Sequence, residues 1–291
     1  MTGGNPAAGR TVGLPAADGL TLAGDAWGDP PWDAVLLHGG GQTRSAWGRT
    51  GSRLHAHGLS VLSVDLRGHG TSAWDEAGRY SFRDHGRDLA AILAANPRPV
   101  IAVGASLGGS TSLHAALLRP EKFRAVVLVD IAPTMQRTGV NRIVGFMRSH
   151  PDGFASIAEA QSAVAAYQSH RRRPPGDGLR RNLRETPDGR WVWHWDPRTL
   201  DFANEGWYLR QQEDMTAAIR ALDVPVILVR GAESDVIVDS DVAYFAALGA
   251  HTRHVEVPNA RHMVAGDEND VFLDQIIAEL GRALPSLGPA A

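Results

Sequence analysis

Pro99-Val100-Ile101-Ala102-Val103-Gly104-Ala105-Ser106-Leu107-Gly108-Gly109 is the segment from which the architecture of the chain can be worked out. Its first half is an apolar, β-rich run. The next residues, Ser110-Thr111-Ser112-Leu113-His114-Ala115-Ala116-Leu117-Leu118, read as a helix. Strand, G-x-S-x-G and helix in that order form a turn that lifts a serine hydroxyl above the edge of a sheet. So tight a turn leaves little space beside the serine, which accounts for glycine two residues to either side. The N–H of Leu107 would open the helix, where backbone donors have no intrahelical acceptor. A glycine-rich turn with a capping serine would look the same locally, so the reading depends on partners elsewhere in the chain.

The pattern around this segment is a repeated exchange of strand and helix. Thr11–Pro15 and Leu20–Trp27 read as strands joined by Ala17-Asp18-Gly19. Ala34-Val35-Leu36-Leu37 and Ser60-Val61-Leu62-Ser63-Val64 are runs of the kind found in a sheet covered on both faces. A helix is predicted over Ser45–Ala56, and Phe82, Leu89, Ile92 and Leu93 give helical spacing within Tyr80–Asn96. Ala125–Val129, Val224–Val229 and His254–Val257 are further strands, and Leu273, Ile276, Ile277 and Leu280 mark a closing helix. The alternation implies an α/β fold with a mainly parallel sheet. It breaks between residues 131 and 222, a stretch read as a mainly helical cap inserted into a core made of 1–130 and 223–291.

Composition narrows the function. The chain has 291 residues, 43% hydrophobic and 21% charged, with net charge −3. That balance gives no electrostatic case for nucleic acid. There are no cysteines, which removes disulfides, thiolate chemistry and cysteine-based metal sites. No cofactor or metal is implied. The first residues lack the basic start and apolar run of a signal peptide, and no apolar stretch is long enough for a membrane span, so a cytoplasmic location is expected.

A serine hydroxyl needs a base, and the base needs an orienting group. In open α/β sheets functional groups gather beyond the carboxyl ends of the strands. Searching there gives Asp235 after Val224–Val229 as the acid and His262 after the last strand as the base. Asp130, directly after Ala125–Val129, is a rival for the acid, and Glu233 is an adjacent carboxylate. The second oxyanion donor belongs in His38-Gly39-Gly40-Gly41, with the N–H of Gly40 preferred over Gly41 and His38 read as a structural anchor. In the cap, Trp191, Trp193 and Trp195 alternate; they would either line an apolar pocket or fasten the cap to the core. Seven arginines between Arg171 and Arg190 (171, 172, 173, 180, 181, 184 and 190) would bind a substrate carboxylate or form a solvated face.

Together these segments resemble the α/β-hydrolase superfamily. The residues that carry the resemblance are His38–Gly41, Asp65-Leu66-Arg67-Gly68-His69-Gly70-Thr71-Ser72, Gly104–Gly109, Gly231–Asp235 and Arg261-His262-Met263-Val264. The resemblance implies an eight-stranded sheet, a cap after the sixth strand, and a Ser106–Asp235–His262 triad with Gly40 and Leu107 as the oxyanion hole. Epoxide hydrolases and haloalkane dehalogenases of similar pattern carry aspartate at the nucleophile position; serine here suits acyl transfer. The implied activity is hydrolysis of a carboxylic ester of a small to medium-sized molecule. Lactone hydrolysis, carbon–carbon hydrolysis and perhydrolysis would use the same triad, and a non-catalytic ligand receptor would keep the same scaffold.

Overall fold

The computed structural model describes residues 9–167, 177–201, 206–262 and 269–284. Its centre is an eight-stranded sheet made of β1 (Arg10–Pro15), β2 (Thr21–Trp27), β3 (Ala34–Leu37), β4 (Val61–Val64), β5 (Val100–Ala105), β6 (Phe123–Val129), β9 (Val226–Gly231) and β10 (Thr252–Val257). The order across the sheet is β1-β2-β4-β3-β5-β6-β9-β10. Both pairings of β2 are antiparallel and all the others are parallel. The chain runs from β3 to β4 on one side, then crosses back to place β5 on the other side of β3. Such a reversal opens a crevice at the carboxyl ends of β3 and β5.

The apolar runs alternate between two helical layers, as the period-two geometry of a strand requires. Val100 and Ala102 enter one buried cluster with Leu89 and Leu93 of α2 (Phe82–Ala94) and Leu113 of α3 (Leu107–Leu118). Ile101, Val103 and Ala105 enter the opposite cluster with Leu54 of α1 (Gly48–Ala56) and Ile276 of α8 (Leu273–Ala283). β3, β6 and β9 divide their side chains in the same way. α7 (Asp239–Ala246) contributes Val242 and Phe245 to the first layer.

Between β6 and β9 lie α4 (Arg137–Arg148), α5 (Ile157–Tyr167), a hairpin of β7 (Leu183–Glu185) and β8 (Trp191–Trp193), and α6 (Trp207–Ala221). This stretch divides in two. Phe146, Phe154, Val164, Leu183, Trp193 and Trp195 form a third cluster of their own. Met215, Ala218 and Ile219 of α6 instead join the main core. Residues between Phe146 and Leu200 therefore pack into a cluster of their own, while Ile131, Ala132 and Met135 before them and the last helix after them join the main core. No helix among the described residues is long and apolar enough to cross a membrane.

Candidate active site

Ser106 sits between β5 and α3 with φ 45° and ψ −111°, a backbone conformation that L residues rarely adopt. The surrounding glycines make it possible. A Cβ on Gly104 would lie 2.3 Å from the carbonyl carbon of Gly108, and one on Gly108 would lie 2.2 Å from the carbonyl oxygen of Leu37. Both obstacles are backbone, so α3 can start against β3 and β5 only where these side chains are absent. Ser106 N–H donates to the Val129 carbonyl at 3.1 Å, tying the turn to β6.

The glycine loop after β3 lies beside this turn: a Cβ on Gly39 would be 3.6 Å from the Ser106 Cβ. Gly39 N–H donates to Gln42 Oε1 at 2.9 Å, and Gln42 N–H returns to the Gly39 carbonyl at 3.0 Å. The Gly40 N–H has no hydrogen-bond partner among the described residues. Gly40, Ser106, Leu107 and His262 all border one cavity of about 80 Å³. Gly41 does not; it packs under Met147 and Trp195 with φ +74°.

His262 finds its carboxylate in Asp130. Its Nδ1 is 2.8 Å from Asp130 Oδ2, and both side chains are almost fully buried. Asp130 follows β6 directly, with φ 51°, and its N–H continues the pairing with β9 by donating to Val229 O at 2.9 Å. Ser234 Oγ donates to Oδ2 at 2.7 Å, and Gly231 N–H donates to Oδ1 at 3.1 Å. Two donors, one at the end of β9 and one in the loop after it, thus hold the carboxylate against the imidazole.

This corrects the expectation for Asp235. Its carboxylate is 2.5 Å from Arg142 Nη2 on α4 and is about one-third exposed. Glu233 is likewise drawn away, to Arg261 at 2.6 Å. The segment Gly231–Asp235 supplies a backbone N–H and the Ser234 hydroxyl to Asp130, while the Asp235 carboxylate pairs with Arg142 and not with His262.

The sequence profile of the alpha/beta hydrolase family matches residues 34–275. This chain belongs to that family. Esterase Rv0045c of Mycobacterium tuberculosis is 32% identical over 264 residues, covering 85% of this chain and 82% of that protein. A solved structure of the same esterase gives a TM-score of 0.73 at 27% identity, over 93% of this chain and 91% of that one. The 3-hydroxybutyrate-oligomer hydrolase of Cupriavidus necator is 26% identical over 250 residues, covering 81% of this chain and 85% of that enzyme. The present α/β hydrolase is accordingly an enzyme of the esterase type.

Beneath the glycine loop of the hydrolase lies a group of buried histidines. His38 Nδ1 donates to the Gly39 carbonyl at 2.8 Å and its Nε2 accepts from Leu66 N–H at 3.0 Å, so it anchors the loop as expected. Burial lowers its pKa to about 4. The His69 ring lies 5.1 Å from that of His38, and burial lowers its pKa to about 3. Burial also holds His85 and His194 well below the ordinary histidine value. His194 Nδ1 accepts from Gly70 N–H at 2.6 Å, which links the β7–β8 hairpin to the loop after β4.

That loop carries the Asp65–Ser72 motif, and its residues are used to hold backbone. Asp65 accepts from the N–H groups of Arg44 and Thr71 at 2.7 and 2.9 Å. Arg67, fully buried, donates to both oxygens of Asp88 at 2.6 Å.

The tryptophans expected in a pocket are elsewhere. Trp193 and Trp195 stack at 4.7 Å in the third cluster, Trp191 lies under the Arg180 guanidinium at 4.8 Å, and none borders the cavity. Trp193 and Trp195 pack chiefly among residues of the inserted stretch, with Trp195 also lying against Gly41 of the glycine loop. Trp207 does border the cavity, with Phe82, Tyr80 and Gln211, none of which the sequence marked as a pocket residue. The described arginines of the cluster are also outside it. Arg184 lies over Trp74, and Arg190 donates to the carbonyls of Asp152 and Gly153. Arg171, Arg172 and Arg173 fall outside the described residues, as do Met263 and Val264.

Proposed function

We propose that this α/β hydrolase cleaves a carboxylic ester through a serine acyl-enzyme, with Ser106 as nucleophile, His262 as base and Asp130 as the orienting acid. The observation that carries this reading is the 2.8 Å contact between His262 Nδ1 and Asp130 on the wall of the cavity that Ser106 also borders. With Nδ1–H committed to Asp130, Nε2 is left as the lone-pair nitrogen that takes the serine proton. Attack on the ester carbonyl moves negative charge to its oxygen. The N–H groups of Leu107 and Gly40 receive it, each such donor being worth about 3 kcal/mol in the transition state. His262 then protonates the leaving alcohol, and water activated by the same nitrogen releases the acid.

The cap, with α4 above the glycine loop, sets the size of the acyl or alcohol group. Ile143, Val144 and Met147 of α4, with Ile131 and Val236, give the cavity an apolar side, and about 80 Å³ is small beside the roughly 300–1,000 Å³ of pockets for drug-sized ligands. Short esters are therefore the proposed substrates. Replacement of Ser106 by alanine tests the proposal. Hydrolysis of p-nitrophenyl acetate and covalent labelling by a fluorophosphonate should both disappear while the melting temperature is retained; continued turnover would refute the serine mechanism.

A further inference from the structure

The cavity beside Ser106 has two unlike ends. On the α4 side it is apolar. α2 and α6 border it with Phe82, Trp207, His85 and Gln211, and Tyr80, His69 and Thr199 add further polar groups, all of these polar groups being uncharged in their ordinary hydrogen-bonding state or kept so by burial. No lysine, arginine, aspartate or glutamate borders it among the described residues.

Two of these polar groups are fully used by the protein. Tyr80 donates to Asp196 at 2.7 Å and accepts from Asp75 N–H at 2.8 Å, and Thr199 Oγ1 donates to the Asp196 carbonyl at 2.7 Å. The other three are not. His69 Nε2, His85 Nδ1 and Gln211 Oε1 are buried without a hydrogen-bond partner. His69 Nδ1 lies 3.1 Å from the Arg67 carbonyl and must donate to it, which leaves Nε2 as a bare acceptor. Gln211 Nε2 faces Ser110 Oγ at 3.3 Å and Met215 Sδ at 3.5 Å, which leaves its oxygen as a second acceptor. A buried acceptor with no donor costs about 1–3 kcal/mol. Two such acceptors, with the unpartnered Nδ1 of His85 bordering the same cavity, reward an occupant that brings a donor.

We infer that the substrate carries an uncharged hydrogen-bond donor, a hydroxyl or N–H group, which seats at the His69–His85–Gln211 end of the cavity. The inference rests on the ester-hydrolysis reading and narrows it: the preferred ester is short and donor-bearing, and one bearing a free carboxylate is disfavoured, since no cation among the described residues faces it there. Gln211 is a specificity-determining residue in this scheme, turning its amide oxygen toward the donor as the substrate enters.

The test compares methyl butanoate with methyl 3-hydroxybutanoate, methyl 4-hydroxybutanoate, 2-hydroxyethyl butanoate, methyl 3-methoxybutanoate and monomethyl succinate. The methoxy ester keeps the oxygen and its inductive effect but cannot donate. At least one hydroxy ester should exceed methyl butanoate in kcat/KM by about tenfold or more, the methoxy and succinate esters should not, and Gln211→Met should bring that ratio close to one. Binding of the same compounds to Ser106→Ala, followed by calorimetry, reads the pocket separately from the chemistry. Tighter binding of a hydroxy ester there, without wild-type turnover of any ester, would uphold the donor site and refute the ester reading. Turnover with no hydroxyl preference, an equal gain for the methoxy ester, or a preference for the succinate ester would overturn the inference alone.

Discussion

Replacing Asp130 by asparagine is the sharpest perturbation of this site. The substitution keeps the shape of the side chain but turns one oxygen into an NH2. Oδ1 and Oδ2 now receive Gly231 N–H at 3.1 Å, Ser234 Oγ at 2.7 Å and His262 Nδ1 at 2.8 Å. Since Gly231 N–H can only donate, the amide oxygen stays on its side and the NH2 is turned toward His262 and Ser234. Facing a donor, His262 Nδ1 must give up its proton, and the neutral ring then carries it on Nε2, the nitrogen that has to accept the serine proton. A triad left in the wrong tautomer loses about 10,000-fold in kcat, equivalent to about 5 kcal/mol. Asp235→Asn removes only a half-exposed pair with Arg142, worth at most about 1 kcal/mol, so its effect on kcat should stay within about fivefold. Initial rates with p-nitrophenyl acetate at pH 7.5 compare the two variants, with melting temperatures confirming that both fold. A large loss in Asp235→Asn together with a small one in Asp130→Asn would refute the assignment of the acid.

Gly104→Ala should destabilise the enzyme by about 2 kcal/mol or more, because its Cβ meets the Gly108 carbonyl carbon at 2.3 Å and neither backbone can yield; an unchanged urea midpoint would contradict this packing. Burial lowers the pKa of His38 to about 4, whereas an unfolded histidine titrates near 6.5. The unfolded chain therefore binds the extra proton between these values, and this contribution to stability is full above pH 6.5 and declines by about 3 kcal/mol as pH falls toward 4. Urea unfolding of wild type and His38→Gln across pH 4–8 should show a shallower acid decline in the variant; parallel curves would remove His38 as a source. The small apolar side of the cavity predicts that p-nitrophenyl acetate or butyrate exceeds the decanoate in kcat/KM by about tenfold or more, and equal values would show that the cap does not limit chain length.

Much of the molecule is legible in the chain because the signals are local. The alternation of Val100 to Ala105 between two helical layers follows from strand geometry, and the glycines around Ser106 are required by backbone contacts within the turn itself. Ser106, His262 and the glycine loop could therefore be placed from strand ends alone. The break in rhythm after β6 is visible in the chain, but α6 was assigned to the inserted stretch although Met215 and Ile219 pack into the sheet layer. Helical spacing identifies an apolar face without saying which cluster it will meet.

Which carboxylate meets His262 lay beyond the sequence for a related reason. Asp130 and Asp235 both follow parallel strands, and β6 and β9 are neighbours, with Val129 opposite Val229. Position along the chain therefore admits either carboxylate. Folding separates them by competition: Arg142, from a helix inserted between the two strands, draws Asp235 outward, while Gly231 and Ser234 hold Asp130 against His262. The same holds for the cavity wall, where His85, Trp207 and Gln211 come from helices far apart in sequence. Short-range signals in the chain were enough to mark the strand ends at which the proposed site lies. Which side chains meet at those ends was settled by folding alone, because it depends on partners supplied from distant segments.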